Sequence, residues 1–178
     1  MISADEIGKT VRAYLERYPA EAGRLAPLVS ALDQSNDLTS RTTFTGHVTC
    51  SGIVIDPAGR VLHIRHNVLR LWLRPGGHLE ADDVSLVAAA FREVKEETGI
   101  PANQLTLVDD NPLDIDVHPI PANPAKGEPE HQHFDLGYLF TTAGTPVVSL
   151  QAEEVHDVAW LAVADLAQAI LRYKLTAL

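Results

Sequence analysis

Three glutamates near the middle of the chain have the residue type and spacing of a binding site for a hard cation. Glu93, Glu96 and Glu97 stand at positions i, i+3 and i+4, so on a helix their carboxylates share one face. Such like-charge neighbours destabilise a surface helix by roughly a few tenths of a kcal/mol per pair, and Arg92 and Lys95 relieve only part of this. Carboxylate oxygens suit Mg²⁺ or Mn²⁺. The cluster therefore indicates either a metal site or a solvated, charged helix end.

The glutamates lie in the second half of a predicted amphipathic helix. Apolar residues recur at helical spacing, at Val84, Val87, Ala88, Phe91 and Val94. Asp82 or Asp83 is a suitable N-cap, and Gly99 suits the left-handed conformation that ends many helices. Upstream, the pair Gly76–Gly77 allows the backbone to approach a ligand closely. The pattern thus places the carboxylates beside a glycine turn.

The stretch from Gly77 to Ile100 resembles the signature of the Nudix hydrolases. That pattern is Gly, five residues, Glu, seven residues, then Arg-Glu-apolar-x-Glu-Glu-x-Gly-apolar, and residues 92–100 match its second half throughout. Asp83 stands in place of the first Glu, and eight residues separate it from Arg92. We interpret this as one extra residue in the loop before the helix. In the family the first Glu mainly steadies this loop, so the departure concerns local geometry more than chemistry.

The resemblance implies a divalent-metal-dependent hydrolase of a diphosphate linkage in a nucleotide-like or related nucleoside diphosphate-X substrate. By this resemblance, Mg²⁺ or Mn²⁺ binds Glu93, Glu96 and Glu97. A backbone carbonyl of the glycine turn, here assigned to Gly77, also joins the metal. The implied catalytic residues are Arg92, which orients the glutamates, together with Glu93 and Glu97.

A further carboxylate is implied by the same resemblance. Nudix enzymes often recruit one from the loop before a late strand, and by position this indicates Glu153 or Glu154 as a metal ligand or general base. A solvated loop is the equal alternative for these two residues. The general base is therefore left open between Glu93 and one of this pair.

Two groups of side chains are candidates for substrate binding. Arg70 and Arg74 flank the motif in an otherwise acidic protein, so they could attract a phosphate group or simply be solvated. His131, His133 and Asp135 alternate and share one face of a predicted strand. They could bind a metal or a substrate phosphate, but hydrogen-bonded residues on a polar sheet face explain the pattern slightly better.

The composition and net charge of the chain limit the classes of molecule that it is expected to bind. The chain has 178 residues, enough for one domain with a core, and a net charge of −10 that argues against binding a nucleic-acid polymer. Its single cysteine, Cys50, excludes an internal disulfide and lies in an apolar run. The sequence shows no signal peptide and no membrane-spanning run, so a cytoplasmic protein with a small-molecule diphosphate substrate is expected. A homodimer is compatible with the family and stays open.

The order of elements predicts an α/β fold. By resemblance it is a Nudix-type α/β/α sandwich with a mixed sheet in residues 42–178, preceded by a helical extension in residues 1–41. Strands are expected at Thr43–Asp56 and Arg60–His66, forming a hairpin, and again from Leu105, His131 and Val155. The proline-rich segment from Val117 to Glu130 lacks donors for a central strand and is long enough to be a substrate-facing lid.

Two functions outside hydrolysis remain possible on this pattern. The domain could be a Nudix-like module that binds a nucleotide or sugar phosphate without cleaving it, although the complete glutamate set argues against a pure binder. It could also be a Nudix-fold isomerase of an isoprenoid diphosphate. Such isomerases use an additional cysteine and glutamate, and Cys50 is a poor candidate for that role.

Overall fold

The computed structural model describes residues 2–34, 36–66, 71–148 and 155–178. Its N-terminal part is helical, with α1 at Ala4–Arg17 and α2 at Ala26–Asp33. Ser3 caps α1, because its hydroxyl accepts from the backbone N–H of Glu6 at 3.2 Å. No helix in these ranges is long and apolar enough to cross a membrane.

One mixed sheet forms the centre of the described chain. Its strands are β1 His47–Ile55, β2 Arg60–His66, β3 Trp72–Leu73, β4 Gly76–His78, β5 Thr106–Leu107, β6 Asp114–Ile120, β7 His131–Thr141 and β8 Val155–Ala162. β1 pairs in parallel with β7 and antiparallel with β2 and β4. The other partners of β7 are β5 and β6, and the other partners of β2 are β3 and β8, all antiparallel. The predicted hairpin of β1 and β2 is confirmed.

Helices cover both faces of the sheet. α3, at Leu86–Thr98, packs so closely on one face that a Cβ at Gly52 of β1 would lie 2.2 Å from Val94. Glycine at position 52 therefore permits the contact. α4, at Ala169–Thr176, covers the opposite face, where Leu171 packs in a second cluster with Ile53. The predicted α/β sandwich is confirmed.

The N-terminal helices share their core with the sheet. Ile7 and Val11 of α1 and Leu28 of α2 are buried in the same cluster as Val48 of β1 and Val94 of α3. Burying each such aliphatic side chain contributes about 1.5–3 kcal/mol before the cost of ordering the chain. The helices therefore add to the core of the fold, while a domain boundary between residues 41 and 42 stays a prediction.

Two local predictions are wrong. The N-cap of α3 is Ser85, whose hydroxyl accepts from the backbone N–H of Ala88 at 3.1 Å, and neither Asp82 nor Asp83. Residues 117–120 belong to β6, whose one pairing among the described strands is with β7, and such an edge position tolerates Pro119. The candidate lid is thus shortened to residues 121–130. Gly99 does end α3 with a left-handed φ of 71°.

Candidate active site

Arg92 organises the acidic residues of the motif. Its guanidinium donates to Glu93 at 2.8 Å and to Glu96 at 3.0 Å. It also donates to both carboxylate oxygens of Asp83, each at 3.0 Å, and to the backbone carbonyl of His78 at 2.8 Å. These charge-assisted bonds connect His78 at the start of the loop, Asp83 near its end and the glutamates of α3 to one side chain. The contacts match the orienting role that the family resemblance implies for Arg92.

Asp83 takes a structural place in the loop. Besides its two bonds with Arg92, it accepts from the backbone N–H of Glu80 at 2.7 Å, and it is buried. Burial alone would raise the pKa of Asp83, but the hydrogen bonds from Arg92 and Glu80 outweigh it and lower this pKa below its ordinary value. The loop thus has one more residue before Arg92 than the family pattern, and Asp83 has a shorter side chain than the Glu of that pattern. The side chain of Asp83 nevertheless reaches Arg92, and its hydrogen bonds hold the loop in place.

The glycine turn lies against the glutamates of α3. The backbone N–H of Gly76 donates to Glu97 at 2.8 Å. A Cβ at Gly77 would lie 2.6 Å from a carboxylate oxygen of Glu93, and a Cβ at Gly76 would lie 2.5 Å from Ser51. A side chain at either position would displace one of these neighbours. The glycine pair is therefore what lets the backbone and the carboxylates meet.

Glu93 has the properties of a proton acceptor near neutral pH. Burial, with a smaller contribution from the charges of Glu96 and Glu80, raises the pKa of Glu93 to about 7 against the opposing effect of Arg92. A carboxylate that titrates near the working pH suits general-base catalysis. A cation bound beside it would shift Glu93 back toward its ionised form.

The donor set suits a hard cation. Among the described residues, Arg92 supplies one positive charge to the carboxylates of Asp83, Glu93 and Glu96, so carboxylate oxygens outnumber the donors of one guanidinium group there. Within the described residues, the oxygens of the glutamates do not converge on one point as a closed metal site would require. The group of three ligating side chains that does converge there consists of histidines. Mg²⁺ requires no closed cage, since it commonly binds through one or two carboxylates and keeps several waters. The residues present therefore fit Mg²⁺ or Mn²⁺.

The interpretation of Arg74 and Asp135 as substrate-binding residues requires correction. Arg74 donates to Asp135 at 2.9 Å and to Asp114 at 3.1 Å, and its side chain is only 6% exposed. Asp135 also accepts from the hydroxyls of Thr49 at 3.1 Å and Ser51 at 2.6 Å. Both charges are already satisfied inside the protein, so neither side chain is presented to a phosphate.

His131 and His133, the two histidines predicted to bind substrate, lie in a group of neighbouring imidazole rings. His131 and His133 share a face of β7, and their ring centroids lie 5.2 Å apart. His133 also faces His47 of β1 at 4.6 Å and His78 of β4 at 5.1 Å. Whether they contact substrate stays a prediction. Sequence reasoning missed His47, because only the pairing of β1 with β7 brings it opposite His133.

The imidazoles of His47, His78 and His133 are neutral at physiological pH. Burial, followed by the neighbouring imidazoles, lowers the pKa of His133 to about 2. The pKa of His78 falls to about 4, first through burial and then through His47, and burial also lowers the pKa of His47. These rings therefore offer lone pairs rather than positive charge.

Some predicted residues lie outside the described ranges. Arg70, Glu153 and Glu154 are among them, and their predicted roles stay predictions. Two concavities of about 330 and 320 Å³ are present in the described part, one beside Thr106 and Thr142 and the other between α1 and α2. Neither is lined by a glutamate of the motif, so the site is identified by its chemistry and not by cavity size.

Comparison with known proteins supports the family suggested by the motif. A family model of the NUDIX domain matches residues 45–177. A probable DHNTP pyrophosphohydrolase of Lactococcus lactis subsp. cremoris (strain MG1363) is 33% identical over 143 residues, covering 75% of this chain and 82% of that protein. Phosphatase NudJ of Escherichia coli (strain K12) is 46% identical over 61 residues, covering 33% of this chain but only 39% of that protein.

Solved structures support the same fold. A binary complex of a C. elegans Ap4A hydrolase superposes with a TM-score of 0.57 at 22% identity, covering 73% of this chain and 95% of that one. The E. coli dihydroneopterin triphosphate pyrophosphohydrolase gives a TM-score of 0.57 at 20% identity, covering 73% and 92%. At such identities the likeness shows the architecture alone.

Proposed function

Because the chain belongs to the Nudix hydrolase family, we propose that it cleaves a diphosphate linkage in a nucleotide-like substrate with Mg²⁺ or Mn²⁺ at the glutamate cluster. The observation that carries this proposal is the set of bonds from Arg92 to Asp83, Glu93 and Glu96 beside the Gly76–Gly77 turn. The loop and the helix are joined there around several carboxylates, and oxygen ligands of this kind suit a hard cation.

Each residue has a distinct part in the proposed reaction. Glu96 and Glu97, with Glu93 and the backbone of Gly77, would hold the ion. When bound, the dication would polarise the phosphoryl oxygens and lower the pKa of a coordinated water. Arg92 keeps the carboxylates in place through its fork of donors. Catalysis then depends on positioning and on electrostatic stabilisation of the charge that develops on the phosphoryl group.

Glu93 is the general base that the described residues favour. Burial raises the pKa of Glu93 to about 7 when no cation is bound, and a cation at the cluster would keep this carboxylate ionised and able to accept a proton from water. Glu153 and Glu154 remain the alternatives that the family resemblance raised. Loss of activity on Glu93→Gln with full retention in Glu153→Gln and Glu154→Gln would favour Glu93.

The relatives suggest which substrates to test first. A relative that covers 75% of this chain is a probable DHNTP pyrophosphohydrolase, so we propose a small heterocycle carrying a triphosphate as the first class. Dinucleoside polyphosphates and nucleoside diphosphate-linked compounds follow. Cytoplasmic location is part of the proposal, supported by the acidic composition and a single buried thiol. A homodimer is also proposed for test, by light scattering of the purified protein.

The deciding experiment is a substrate panel with identified products. We expect phosphate or pyrophosphate release only with Mg²⁺ or Mn²⁺, and a loss of orders of magnitude in Glu97→Gln. Glutamine can still accept the hydrogen bond from Gly76, so this variant should fold normally. The matched control is Glu16→Gln on the exposed side of α1, which should retain full activity. Wild-type turnover in Glu97→Gln would refute the metal role.

The same panel tests the alternatives. Saturable binding of a nucleotide or sugar phosphate without any product would favour a binding module. An isoprenoid diphosphate isomerase is disfavoured by the structure, because Cys50 is completely buried and burial raises the pKa of its thiol well above the ordinary value. Such a thiol is poorly suited to proton transfer on a substrate.

A further inference from the structure

We propose that His47, His78 and His133 form a second metal site, for one divalent ion of the zinc class, separate from the glutamate cluster. Each imidazole offers one ligand nitrogen, and these three atoms all lie within 4.8 Å of one another. Neither the family match nor the named relatives assign this site. The histidines come from three different strands, so their meeting is a property of the fold.

The pairing of the strands fixes the three side chains. His47 opens β1 directly opposite His133 of the parallel strand β7. On the other side of β1, His78 of β4 lies opposite Thr49, which projects from the same face of β1 as His47. The three rings are therefore attached to hydrogen-bonded backbone and not to a loop. A site carried by strands holds its ligands with greater precision than one carried by loops.

Two of the three rings have a buried nitrogen that makes no hydrogen bond within the described part of the chain. Nδ1 of His47 lies 3.3 Å from the backbone carbonyl of Thr43, and since a carbonyl only accepts, this nitrogen carries the proton. Nε2 of His47 is then the acceptor, and it is buried without a hydrogen-bond partner, although His47 is only 1% exposed. Nε2 of His133 is buried in the same way. Buried polar atoms without partners are costly, and a metal ion would satisfy both.

The backbone contact of His47 also matches the support that metal-binding histidines receive. Such histidines usually donate their second ring N–H to a carbonyl or carboxylate, which fixes the tautomer and the orientation of the ring. Next to the three, His131 shows the same arrangement, with Nδ1 at 2.8 Å from the carbonyl of Pro129. It stacks on His47 at 5.0 Å and lies beside the trio.

The ligand type selects the metal. Neutral imidazole nitrogens suit zinc, copper, nickel and iron, whereas Mg²⁺ prefers oxygen. In a tetrahedral zinc site with Zn–N bonds of about 2.0–2.1 Å, neighbouring nitrogens lie about 3.3 Å apart. Small rotations of the imidazoles on fixed strands close the remaining gap. Three histidines leave a fourth position for water or an anion, as in open zinc sites.

The proposed site adjoins the glutamate cluster through the backbone. His78 follows Gly77 directly, and its carbonyl accepts from Arg92 at 2.8 Å. An ion held by His78 would therefore restrain the same turn that Glu93 and Glu97 contact. The two sites use different ligand chemistry, so they can be distinguished by the metal that fills them.

Isothermal titration of Zn²⁺ into EDTA-treated, dialysed protein tests the site. We expect the wild type to bind one equivalent of Zn²⁺. Loss of a residue that only supports a metal ligand weakens binding by up to ~100-fold, so His78→Asn and His133→Asn, which each remove a ligand, should weaken it by more than that. The matched control is His118→Asn, a nearby histidine that is bonded to Asp116 at 3.0 Å and lies outside the trio. It should bind Zn²⁺ like the wild type.

Two further arms keep the proposal falsifiable if a histidine variant does not fold. Glu97→Gln should bind Zn²⁺ normally, and equal weakening in this variant would place the ion on the carboxylates and overturn the proposal. Crystals of the wild type grown with Zn²⁺ should show an anomalous peak among the three imidazoles. A stoichiometry below about one half, unchanged affinity in a folded His78→Asn variant, or an anomalous peak elsewhere would also overturn it.

Discussion

Two clusters of charged side chains lie on this sheet, and they differ in the balance of their charges. In the Arg92 cluster, the guanidinium of Arg92 pairs with Asp83, Glu93 and Glu96, so the described residues set one cation against three carboxylates. The Lys174 network consists of Arg24, Arg74 and Lys174 with Glu21, Asp114, Asp116 and Asp135, so three cations meet four carboxylates and the charges nearly balance. Of these two clusters, the first has the larger share of carboxylates within the described part of the chain.

The balanced network joins distant parts of the chain. Lys174 of α4 contacts Glu21 at 2.8 Å and Asp114 at 3.1 Å, and it also donates to the hydroxyl of Tyr14. That hydroxyl donates to Glu21 at 2.6 Å and accepts from the backbone N–H of Ile115 at 3.1 Å. The helices α1 and α4 are thus held to the sheet by ion pairs and hydrogen bonds among buried polar groups. The contrast teaches that burial of charge alone does not mark a functional site, whereas carboxylates gathered around a single guanidinium beside a glycine turn do suggest one.

The largest effect is expected from breaking the balanced network. Arg74→Met would leave Asp114 and Asp135 buried beside one another without their shared cation. Removing one partner of a buried ion pair typically costs about 3–5 kcal/mol of unfolding free energy. Urea denaturation followed by circular dichroism measures this loss. Activity per folded molecule should be unchanged, and a stable but inactive Arg74→Met would instead support a direct role with substrate.

The reciprocal change in the other cluster should affect turnover more than stability. Arg92→Lys keeps the positive charge but loses the planar fork that contacts Asp83, Glu93 and Glu96 together. We expect kcat to fall about 100-fold, or ~2.7 kcal/mol in activation free energy. Steady-state kinetics with the best substrate of the panel measures it. If kcat stayed at the wild-type level, the guanidinium would have no positioning role.

The buried carboxylate of Glu93 predicts a pH dependence of stability. The pKa of Glu93 in the folded protein is about 7, above its ordinary value of 4.5. The folded state therefore binds more protons than the unfolded state between these values, and stability falls as pH rises through that window. Glu93→Gln should remove this loss, with a gain in unfolding free energy of up to about 3 kcal/mol above pH 7 and little gain below pH 4.5.

Removing metal ions sharpens the comparison of the unfolding free energies of the wild type and Glu93→Gln, measured by urea denaturation at several pH values. In EDTA the stability difference between wild type and Glu93→Gln should be largest, because no cation then offsets the buried carboxylate. Millimolar Mg²⁺ should raise the melting temperature of the wild type more than that of the variant, since binding to the folded state alone stabilises it. Equal shifts in both proteins would mean that Glu93 is not part of the metal site.

The smallest effect on stability is expected at Glu96. Its side chain is 46% exposed and lies at the solvent side of Arg92, so Glu96→Gln should change the unfolding free energy by less than about 0.5 kcal/mol. The variant should nevertheless require more Mg²⁺ for half-maximal activity, because one candidate ligand is lost. A metal titration of activity checks this, with Glu16→Gln again as the control. An unchanged titration curve would exclude Glu96 from the ligand set.

Features that are local in sequence were predicted well. The spacing of Glu93, Glu96 and Glu97, the glycine turn and the left-handed end of α3 at Gly99 all follow from helical periodicity and backbone preferences within about two dozen residues. The motif also led to the correct family and fold class. The N-cap was misassigned because Asp83 and Ser85 are both good caps, and only the contacts of Asp83 with Arg92 decide between them.

What the sequence by itself determined is therefore the acidic helix, the turn beside it and the family to which they belong. Tertiary structure alone decided which distant side chains meet: Arg74 with Asp114 and Asp135, Lys174 with Glu21, and His47 with His78 and His133. The meeting of the three histidines depends on the order β4–β1–β7 and on the register of each pairing. A shift of one residue in a strand turns its side chains to the opposite face, and no local pattern specifies that register.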